Sequence, residues 1–491
     1  MRTILRIILG VCLSTLSAIL IVLSLPPYNL SFLILFSFVP MLISQYKVLP
    51  EKVSSLAPAI TVGSFLGLYL MGVFAPFNAW YMKLLPLFIG CLTFFTDRGI
   101  RRRNESSNFK WFVLSGIFSW VGIEYIRTFI PAFGTWAFLS YAFYNQPWFI
   151  QPVKIFSIFG LSLLIMLVNY SIGYLVISRS KKAKKVFILA LLVLVLWTSL
   201  SVSLYKNANS KTVKVGVIQA NPAQFGSIGS SSFRNTLTAH LITLSKEAAQ
   251  KGAQIILWPE GALNYDPKVE NSALFKDFTK ETNTYLIIPY IVFGDKGNRN
   301  EATILSPEGE FLGVYGKDHP VVFAGETSIT RGTYPVFKTG LGAFGIVICY
   351  DLDFTDTARK IANSGAQIIF APSGDWPQIA KKHYTHSIFR AVENGVSVVK
   401  AEWAHDSVII DPFGRIIEKS ISTTPIEAVL VAAVPLDGSK TLYSNIGDIL
   451  GIISLIGMFV IPIINNLENK SKIAKIMNKG RKTSNEETNK N

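Results

Sequence analysis

Residues 343–351 read AFGIVICYD, a run of apolar and β-branched side chains that ends on a cysteine, a tyrosine and a carboxylate. A run of this length between polar segments is typical of a buried β-strand. Four further runs of the same kind lie at 213–219, 254–258, 285–292 and 367–371. Polar segments of helical length, such as 231–251 and 383–394, alternate with them. The alternation predicts an α/β layered domain over residues 211–437.

Outside this domain the chain is strongly apolar. Half of its 491 residues are hydrophobic and the mean hydropathy is +0.38, which favours residence in a membrane. A helix that crosses the hydrocarbon needs about 20 apolar residues, because each adds about 1.5 Å. Eight segments are long enough or nearly so: 4–24, 30–45, 57–77, 84–95, 111–129, 155–177, 186–204 and 446–464. They predict a multi-pass α-helical membrane protein with about eight spans, in which the α/β domain follows the seventh.

The Lys and Arg residues between the spans indicate the orientation. They cluster at 2–6, 47–52, 98–110 and 179–185, whereas the alternate loops 26–28, 78–82 and 131–151 contain no Lys or Arg. Because basic loops stay on the cytoplasmic side, both termini are expected there and the α/β domain outside. The predicted divisions are a seven-span domain (1–205), an extracytoplasmic catalytic domain (211–437), an eighth span (445–466) and a basic cytoplasmic tail (467–491).

Charge and cysteine content narrow the function classes. The net charge of +16 comes from short clusters between apolar runs rather than from one polar face, so no nucleic-acid partner is expected. Three cysteines cannot form a complete disulfide framework, and Cys12 and Cys91 lie inside apolar runs. Cys349 is therefore available as a reactive thiol.

Three side chains stand directly after predicted strands, where α/β sheets commonly carry their functional groups. Glu260 ends the segment QIILWPE, Lys317 lies in YGKDHP, and Cys349 ends the run quoted above. Each has an ordinary structural explanation as a surface cap, a turn cation or a small buried residue. Together they suit acyl transfer, since a carboxylate can take the thiol proton and a lysine can stabilise charge on the acyl oxygen.

In this order and context the three residues resemble the Glu, Lys, Cys triad of the nitrilase superfamily, which acts on carbon–nitrogen and related acyl bonds. The resemblance implies an αββα domain in which Glu260 is the general base. Lys317 would be the oxyanion stabiliser, helped by backbone N–H groups near Tyr350, and Cys349 the nucleophile that forms a thioester.

Further characteristic stretches occur along nearly the whole chain: LPPYNL at 25–30, Trp120 with Glu124 and Arg127, GTWAFLSY at 134–141, FAGE at 323–326, RAVENG at 390–395 and DPFGR at 411–415. Together with the membrane spans they resemble the apolipoprotein N-acyltransferase family. The resemblance implies transfer of an acyl chain from a membrane phospholipid, through the Cys349 thioester, to the α-amine of the lipid-modified N-terminal cysteine of a lipoprotein. It implies two partners, a phospholipid donor and a diacylglyceryl-modified apolipoprotein acceptor, no cofactor, and a place in the bacterial cytoplasmic (inner) membrane.

Further residues follow from the same resemblance. Glu326, Tyr350 and Asp351 are expected to support the site, and Trp136 and Trp376 to contact substrate. The aromatic loop 133–149 would then admit acyl tails, although a plain interfacial belt has the same composition.

Several stretches differ from the family pattern and leave alternatives open. The loop HPVVFAGE at 319–326 is one residue longer than usual, and YDLDF (350–354), SGDWP (373–377) and Glu402–Trp403 replace the family's residues. A membrane-anchored amidase or other carbon–nitrogen hydrolase is the alternative enzyme. A non-catalytic membrane scaffold is a third reading, which the retained triad disfavours.

Metal binding has little support in the sequence. His383 and His386 are three residues apart on a predicted helix, but no cysteine or carboxylate beside them has a recognised ligand spacing. They are expected to cap or line that helix, and no metal is expected.

Overall fold

The computed structural model describes residues 2–77, 83–208, 211–225, 231–438 and 440–488. Its α-helices are α1 (Arg2–Ser24), α2 (Val39–Ile43), α3 (Leu56–Met71), α4 (Leu85–Asp97), α5 (Ile100–Ser106), α6 (Phe112–Arg127), α7 (Pro147–Ile150), α8 (Val153–Ser178), α9 (Lys181–Leu204), α10 (Ser231–Gln250), α11 (Ser272–Thr282), α12 (Thr355–Asn363), α13 (Tyr384–Asn394), α14 (Leu442–Ile446) and α15 (Ile449–Thr488). The helices α1 to α9 and the start of α15 form the apolar part of the chain.

Six of the described helical segments are long and apolar enough to cross a membrane. They are Thr3–Ser24, Ser31–Val48, Glu51–Met71, Val153–Ser178, Lys181–Leu204 and Ile449–Glu468. The chain is thus a multi-pass membrane protein, as predicted. Two of the eight predicted spans, 84–95 and 111–129, contain α4 and α6, whose 13 and 16 residues fall short of that length. The predicted outer turn at 78–82 lies outside the described residues.

The second predicted span is a broken helix. A 3-10 helix (Ser31–Leu35), α2 and a π-helical turn (Ser44–Val48) follow one another. Breaks in apolar surroundings leave backbone groups that need partners from neighbouring helices. Asn169 of α8 provides them, since its Oδ1 accepts from the Phe38 N–H at 2.8 Å and its Nδ2 donates to the Ile34 carbonyl at 2.7 Å.

The helices α3 and α4 pack closely through small residues. A Cβ on Gly63 would lie 2.8 Å from the Cα of Gly90 and equally close to the carbonyl oxygen of Pro86. Small residues that let backbones approach are typical of helix packing in membranes. The short helix α4 therefore packs against α3, which belongs to the candidate membrane span Glu51–Met71.

The strands of the catalytic domain form two six-stranded sheets. They are β1 (Thr212–Gln219), β2 (Ile255–Leu257), β3 (Tyr285–Val292), β4 (Arg299–Leu305), β5 (Phe311–Gly316), β6 (Val336–Lys338), β7 (Ala343–Ile346), β8 (Ile368–Pro372), β9 (Ser397–Ala401), β10 (Asp406–Ile410), β11 (Ile416–Ile421) and β12 (Ala428–Pro435). The strand orders are β12-β1-β2-β3-β4-β5 and β11-β10-β9-β8-β7-β6. Three parallel strands stand in each sheet, β1-β2-β3 and β7-β8-β9.

Alternation along the strands produces a four-layer domain. Ile255 and Leu257 of β2 belong to the core shared with the second sheet, whereas Ile256 and Trp258 pack with α10 and α11. The helices α12 and α13 pack on the second sheet. This is the predicted αββα arrangement, and it brings the carboxyl ends of the parallel strands of both sheets to one region.

The predicted domain boundaries stay predictions. The helix α9 ends at Leu204, β1 begins at Thr212 and β12 ends at Pro435. The last helix, α15, continues to Thr488 and so includes most of the segment 467–491.

Replacing Asn169 by leucine is expected to destabilise the membrane part. The Phe38 N–H would lose its partner in an apolar environment, and the Ile34 carbonyl would keep only the Ser37 hydroxyl, at a cost of about 1–3 kcal/mol. Thermal unfolding of the purified chain in detergent measures this as a lower Tm. Val176→Leu, a lipid-facing change on the same helix, is the control. An unchanged Tm for Asn169→Leu would contradict the assigned role.

Candidate active site

The structure brings Glu260, Lys317 and Glu326 together at the ends of the strands. The Lys317 Nζ lies 2.9 Å from the Glu260 Oε1 and 2.8 Å from the Glu326 Oε2. Asn300 of β4 donates to both carboxylates, at 2.7 and 2.6 Å. Lys317 is almost fully buried, and although burial lowers the pKa of its ammonium group, Glu260, Cys349 and Glu326 raise that pKa overall. The extra residue in the loop 319–326 does not separate Glu326 from Lys317.

Cys349 stands on a sharp turn between β7 and a 3-10 helix (Cys349–Asp353). Its φ of +47° is uncommon for a residue other than glycine, and such conformations cluster at functional sites. The thiol is buried and lies 3.8 Å from the Asp375 Oδ1.

The charged groups around Cys349 have opposite effects on the pKa of its thiol. Burial raises the pKa of the thiol most, and Glu260 and Asp375 raise it further. Lys317 and the backbone N–H of Gly374 lower it. The thiol is therefore held protonated, with the Asp375 carboxylate beside it and the charge of Glu260 also acting on it.

Asp351 ties the two catalytic loops together. Its carboxylate accepts hydrogen bonds from the N–H groups of Ile348, Asp318 and His319 and from the hydroxyl of Tyr315, at 2.7 to 3.1 Å. One fully buried side chain thus fixes the turn that carries the thiol against the loop that follows Lys317. Asp351 is a positioning residue in this geometry.

The other predicted residues connect the catalytic domain with the membrane part. Tyr350 donates its hydroxyl to the Pro131 carbonyl at 2.8 Å. The Trp136 indole N–H donates to the Asp353 Oδ2 at 2.8 Å, and the Trp376 indole N–H to the Gly72 carbonyl at 2.9 Å. Trp136 is 1% exposed, so its indole holds the loop to the nucleophile turn rather than lining open space.

A buried charged cluster beside the thiol was not predicted. Lys400 of β9 lies 2.8 Å from both Asp375 and Asp406 and 3.3 Å from Glu402. His383 Nδ1 lies 2.7 Å from Asp375. Burial raises the pKa of the Asp375 carboxyl group, but His383 and Lys400 lower it overall. The Asp375 carboxylate therefore stays ionised next to the thiol.

The two predicted helix-lining histidines belong to the same cluster. His383 Nε2 lies 3.2 Å from the Asp353 Oδ1, and His386 also contacts that oxygen. Burial lowers the pKa of His383, but Asp375 and Asp353 outweigh it and raise the value to about 10. Donor atoms of Asp353, His383 and His386 lie within 4.8 Å of one another and are of types that a metal ion can use. The prediction of no metal stays a prediction.

The sequence analysis did not assign Asp375, Glu402 or Asn300 to the site, for different reasons. Asp375 follows β8 and Glu402 follows β9, positions that strand-end logic could have flagged. Asn300, inside β4, carries no such signal.

Comparisons with known proteins find relatives of both parts of the chain. Residues 17–171 match the family described as apolipoprotein N-acyltransferase N-terminal domain, and residues 214–442 match carbon-nitrogen hydrolase. The apolipoprotein N-acyltransferase of Geobacter metallireducens is 26% identical over 89% of this chain and 91% of its own length. That of Rickettsia prowazekii is 26% identical over 77% and 81%.

Other relatives match the catalytic domain alone. The omega-amidase NIT2-A of Xenopus laevis is 30% identical over 39% of this chain and 80% of its own length. The crystal structure of Saccharomyces cerevisiae Nit3, a nitrilase superfamily member, is 19% identical, with a TM-score of 0.40 over 47% of this chain and 92% of that one.

The fold and these matches define a nitrilase-superfamily protein of the membrane-embedded branch. The chain belongs to the apolipoprotein N-acyltransferase family, as a divergent member.

Replacing Glu260 by glutamine is expected to make the thiol more acidic. Because the charge of Glu260 raises the thiol pKa, its removal shifts the pH profile of Cys349 alkylation to lower pH. Lys317→Met is expected to shift the profile to higher pH. The measurement is the iodoacetamide reaction rate against pH, read by mass spectrometry of the Cys349 peptide.

Glu270→Gln, an exposed carboxylate of the same domain, is the control for that experiment. A Glu260→Gln profile that moves to higher pH would contradict the electrostatic assignment.

Proposed function

We propose that this protein is an acyltransferase that moves an acyl chain from a membrane phospholipid to the α-amine of the lipid-modified N-terminal cysteine of lipoproteins. The observation that carries the proposal is the contact between the candidate nucleophile turn and the membrane part. The Asp353 carbonyl accepts from the Thr135 N–H at 2.8 Å, and Tyr350 donates to Pro131. A thiol fixed against a membrane domain suits substrates that never leave the bilayer.

In the first step Glu260 takes the proton of the Cys349 thiol as the sulfur attacks the ester carbonyl of the phospholipid. Lys317 stabilises the oxyanion that forms. Collapse breaks the ester bond, and the leaving alkoxide takes the proton from Glu260 and departs as a lysophospholipid. The acyl chain remains on Cys349 as a thioester.

In the second step the acceptor amine attacks the thioester carbonyl. Glu260 takes a proton from the amine and returns it to the departing sulfur, so an amide forms and the thiol is restored. The two substrates react in turn, which is a ping-pong scheme. Hydrogen bonds from Asn300 and to Glu326 hold the Glu260 and Lys317 side chains in position through both steps.

The proposed setting is a bacterial cytoplasmic (inner) membrane with the catalytic domain outside and both termini in the cytoplasm. The basic loops on one side of the spans support this orientation. The proposed organisation is the one predicted from the sequence, 1–205, 211–437, 445–466 and 467–491.

A membrane-anchored amidase or other carbon–nitrogen hydrolase is the second candidate. The 30% identity of the catalytic domain to an omega-amidase favours it, and so does the Asp351 that follows the nucleophile. In that reaction water, rather than an amine, would resolve the acyl-enzyme.

Exposure of the purified chain to phospholipid is expected to leave a palmitoyl-sized adduct on Cys349, because the thioester awaits its acceptor. Intact-mass measurement detects it, and Cys349→Ala is expected to abolish it. Lys317→Met should slow adduct formation by about 10²–10³-fold through loss of oxyanion stabilisation. Cys91→Ala, which removes an exposed cysteine, is the matched control.

Adding a diacylated lipopeptide should discharge the adduct faster than water does. Equal rates with and without lipopeptide would favour the hydrolase, and an adduct that survives Cys349→Ala would exclude this nucleophile.

The orientation predicts a labelling pattern in intact cells. Val269 is 85% exposed on the catalytic domain, so Val269→Cys should react with a thiol reagent that cannot cross membranes. Lys52→Cys, on the opposite side, should react only after permeabilisation. Peptide mass spectrometry reads both sites, and the reverse pattern would overturn the orientation.

A further inference from the structure

Lys382 occupies the junction between the catalytic domain and the outer end of α3. It lies just before α13, and its Nζ is 4.3 Å from the centre of the Tyr69 ring of α3. The same Nζ lies 3.5 Å from where a Cβ on Gly72 would stand, one residue beyond the end of that helix. The ammonium group is therefore partly enclosed by the membrane part of the chain.

No carboxylate among the described residues offsets this charge. None of the described Asp or Glu side chains forms an ion pair with Lys382, and burial alone lowers the pKa of its ammonium group to about 8. The undescribed stretch 78–82 that follows α3 contains no Asp or Glu.

Lys382 is half-buried, and a partly enclosed ammonium group without a counter-charge is unfavourable. Its exposed side can therefore take an anion supplied from outside the chain. The Tyr69 ring face compensates only in part. At neutral pH the group remains largely protonated, because its pKa is about 8. A lysine ammonium has three donors and is a good point-charge ligand for phosphate.

The position also suits the candidate active site. His383, the next residue, contacts Asp375, whose Oδ1 lies 3.8 Å from the Cys349 sulfur. The Trp376 indole, beside Asp375, donates to the Gly72 carbonyl. Short connections therefore lead from Lys382 to the thiol.

An aromatic row connects the end of α3 with the nucleophile turn. The ring of Phe74 lies 5.0 Å from that of Phe323, and the ring of Phe323 lies 5.9 Å from that of Tyr350, the neighbour of Cys349. Phe74 and Tyr350 are buried and Phe323 is partly exposed, so this row is a packed connection between the two parts of the chain.

We propose that Lys382 binds the phosphate of the phospholipid acyl donor. This proposal rests on the proposed function and names the donor contact that the function requires. Outer-surface phosphates lie at the depth where a helix such as α3 leaves the hydrocarbon, so the lipid can reach Lys382 without leaving its leaflet.

The test compares a donor that has a phosphate with one that has none. Lys382→Gln is expected to lower kcat/KM for acyl-enzyme formation from a phosphatidylethanolamine at least tenfold. With p-nitrophenyl palmitate the rate should be unchanged. Lys381→Gln removes an exposed neighbouring charge and should leave both reactions unchanged, and Lys382→Arg should retain most of the phospholipid reaction.

Two kinetic outcomes would overturn the proposal. Equal phospholipid rates for the unsubstituted chain and Lys382→Gln would show that Lys382 does not bind the phosphate. An equal loss with both donors would show a structural role for Lys382.

A binding measurement keeps this proposal separable from the proposed function. A dialkyl ether phospholipid cannot donate an acyl chain, so its affinity for the Cys349→Ala chain is independent of transfer. Adding Lys382→Gln should weaken that affinity about tenfold, even if no acyl-enzyme is ever observed. Equal affinities would overturn the proposal, and so would displacement of the lipid by equimolar inorganic phosphate, which would indicate a free-anion site.

Discussion

The hydrogen bonds between Asp353 and the loop after α6 fix the catalytic domain against the membrane part. The Asp353 carbonyl accepts from the backbone N–H and the hydroxyl of Thr135, and its carboxylate accepts from Trp136. Gly134 allows this approach, since its φ is +48° and a Cβ there would lie 2.7 Å from the Asp353 oxygen. Because Asp353 is only four residues from Cys349, the membrane loop directly fixes the turn that carries the thiol.

The same loop is held from the membrane side. Glu124 of α6 accepts from the Leu139 N–H at 3.1 Å, and Arg127 donates to the Trp136 carbonyl. These two charged residues, buried in an apolar region, thus position a loop rather than line an open path. Hydrogen bonds therefore connect α6, through this loop, to the 3-10 helix that carries Cys349.

Much of this architecture could be predicted from local sequence. Apolar strand runs and membrane segments indicated an α/β domain between the spans, and the family resemblance implied its αββα layers. Strand ends indicated Glu260, Lys317 and Cys349. The contacts of the charged cluster around Lys400 could not be predicted, because Asp353, Asp375 and His383 meet only when separate loops converge. The fourth predicted span, 84–95, was already short, whereas the shortness of α6 was hidden, since hydropathy marks apolar residues but not where a helix begins and ends.

The shortness of α4 and α6 has a consequence for the surrounding lipid. Helices of 13 and 16 residues cover about 20 and 24 Å, less than the roughly 30 Å of bilayer hydrocarbon. Such hydrophobic mismatch thins the adjoining bilayer. Since α4 packs on α3, whose outer end adjoins Lys382 and Trp376, lipids there would sit out of the plane of the leaflet. The bilayer beside this junction would thus be thinner than around the longer spans.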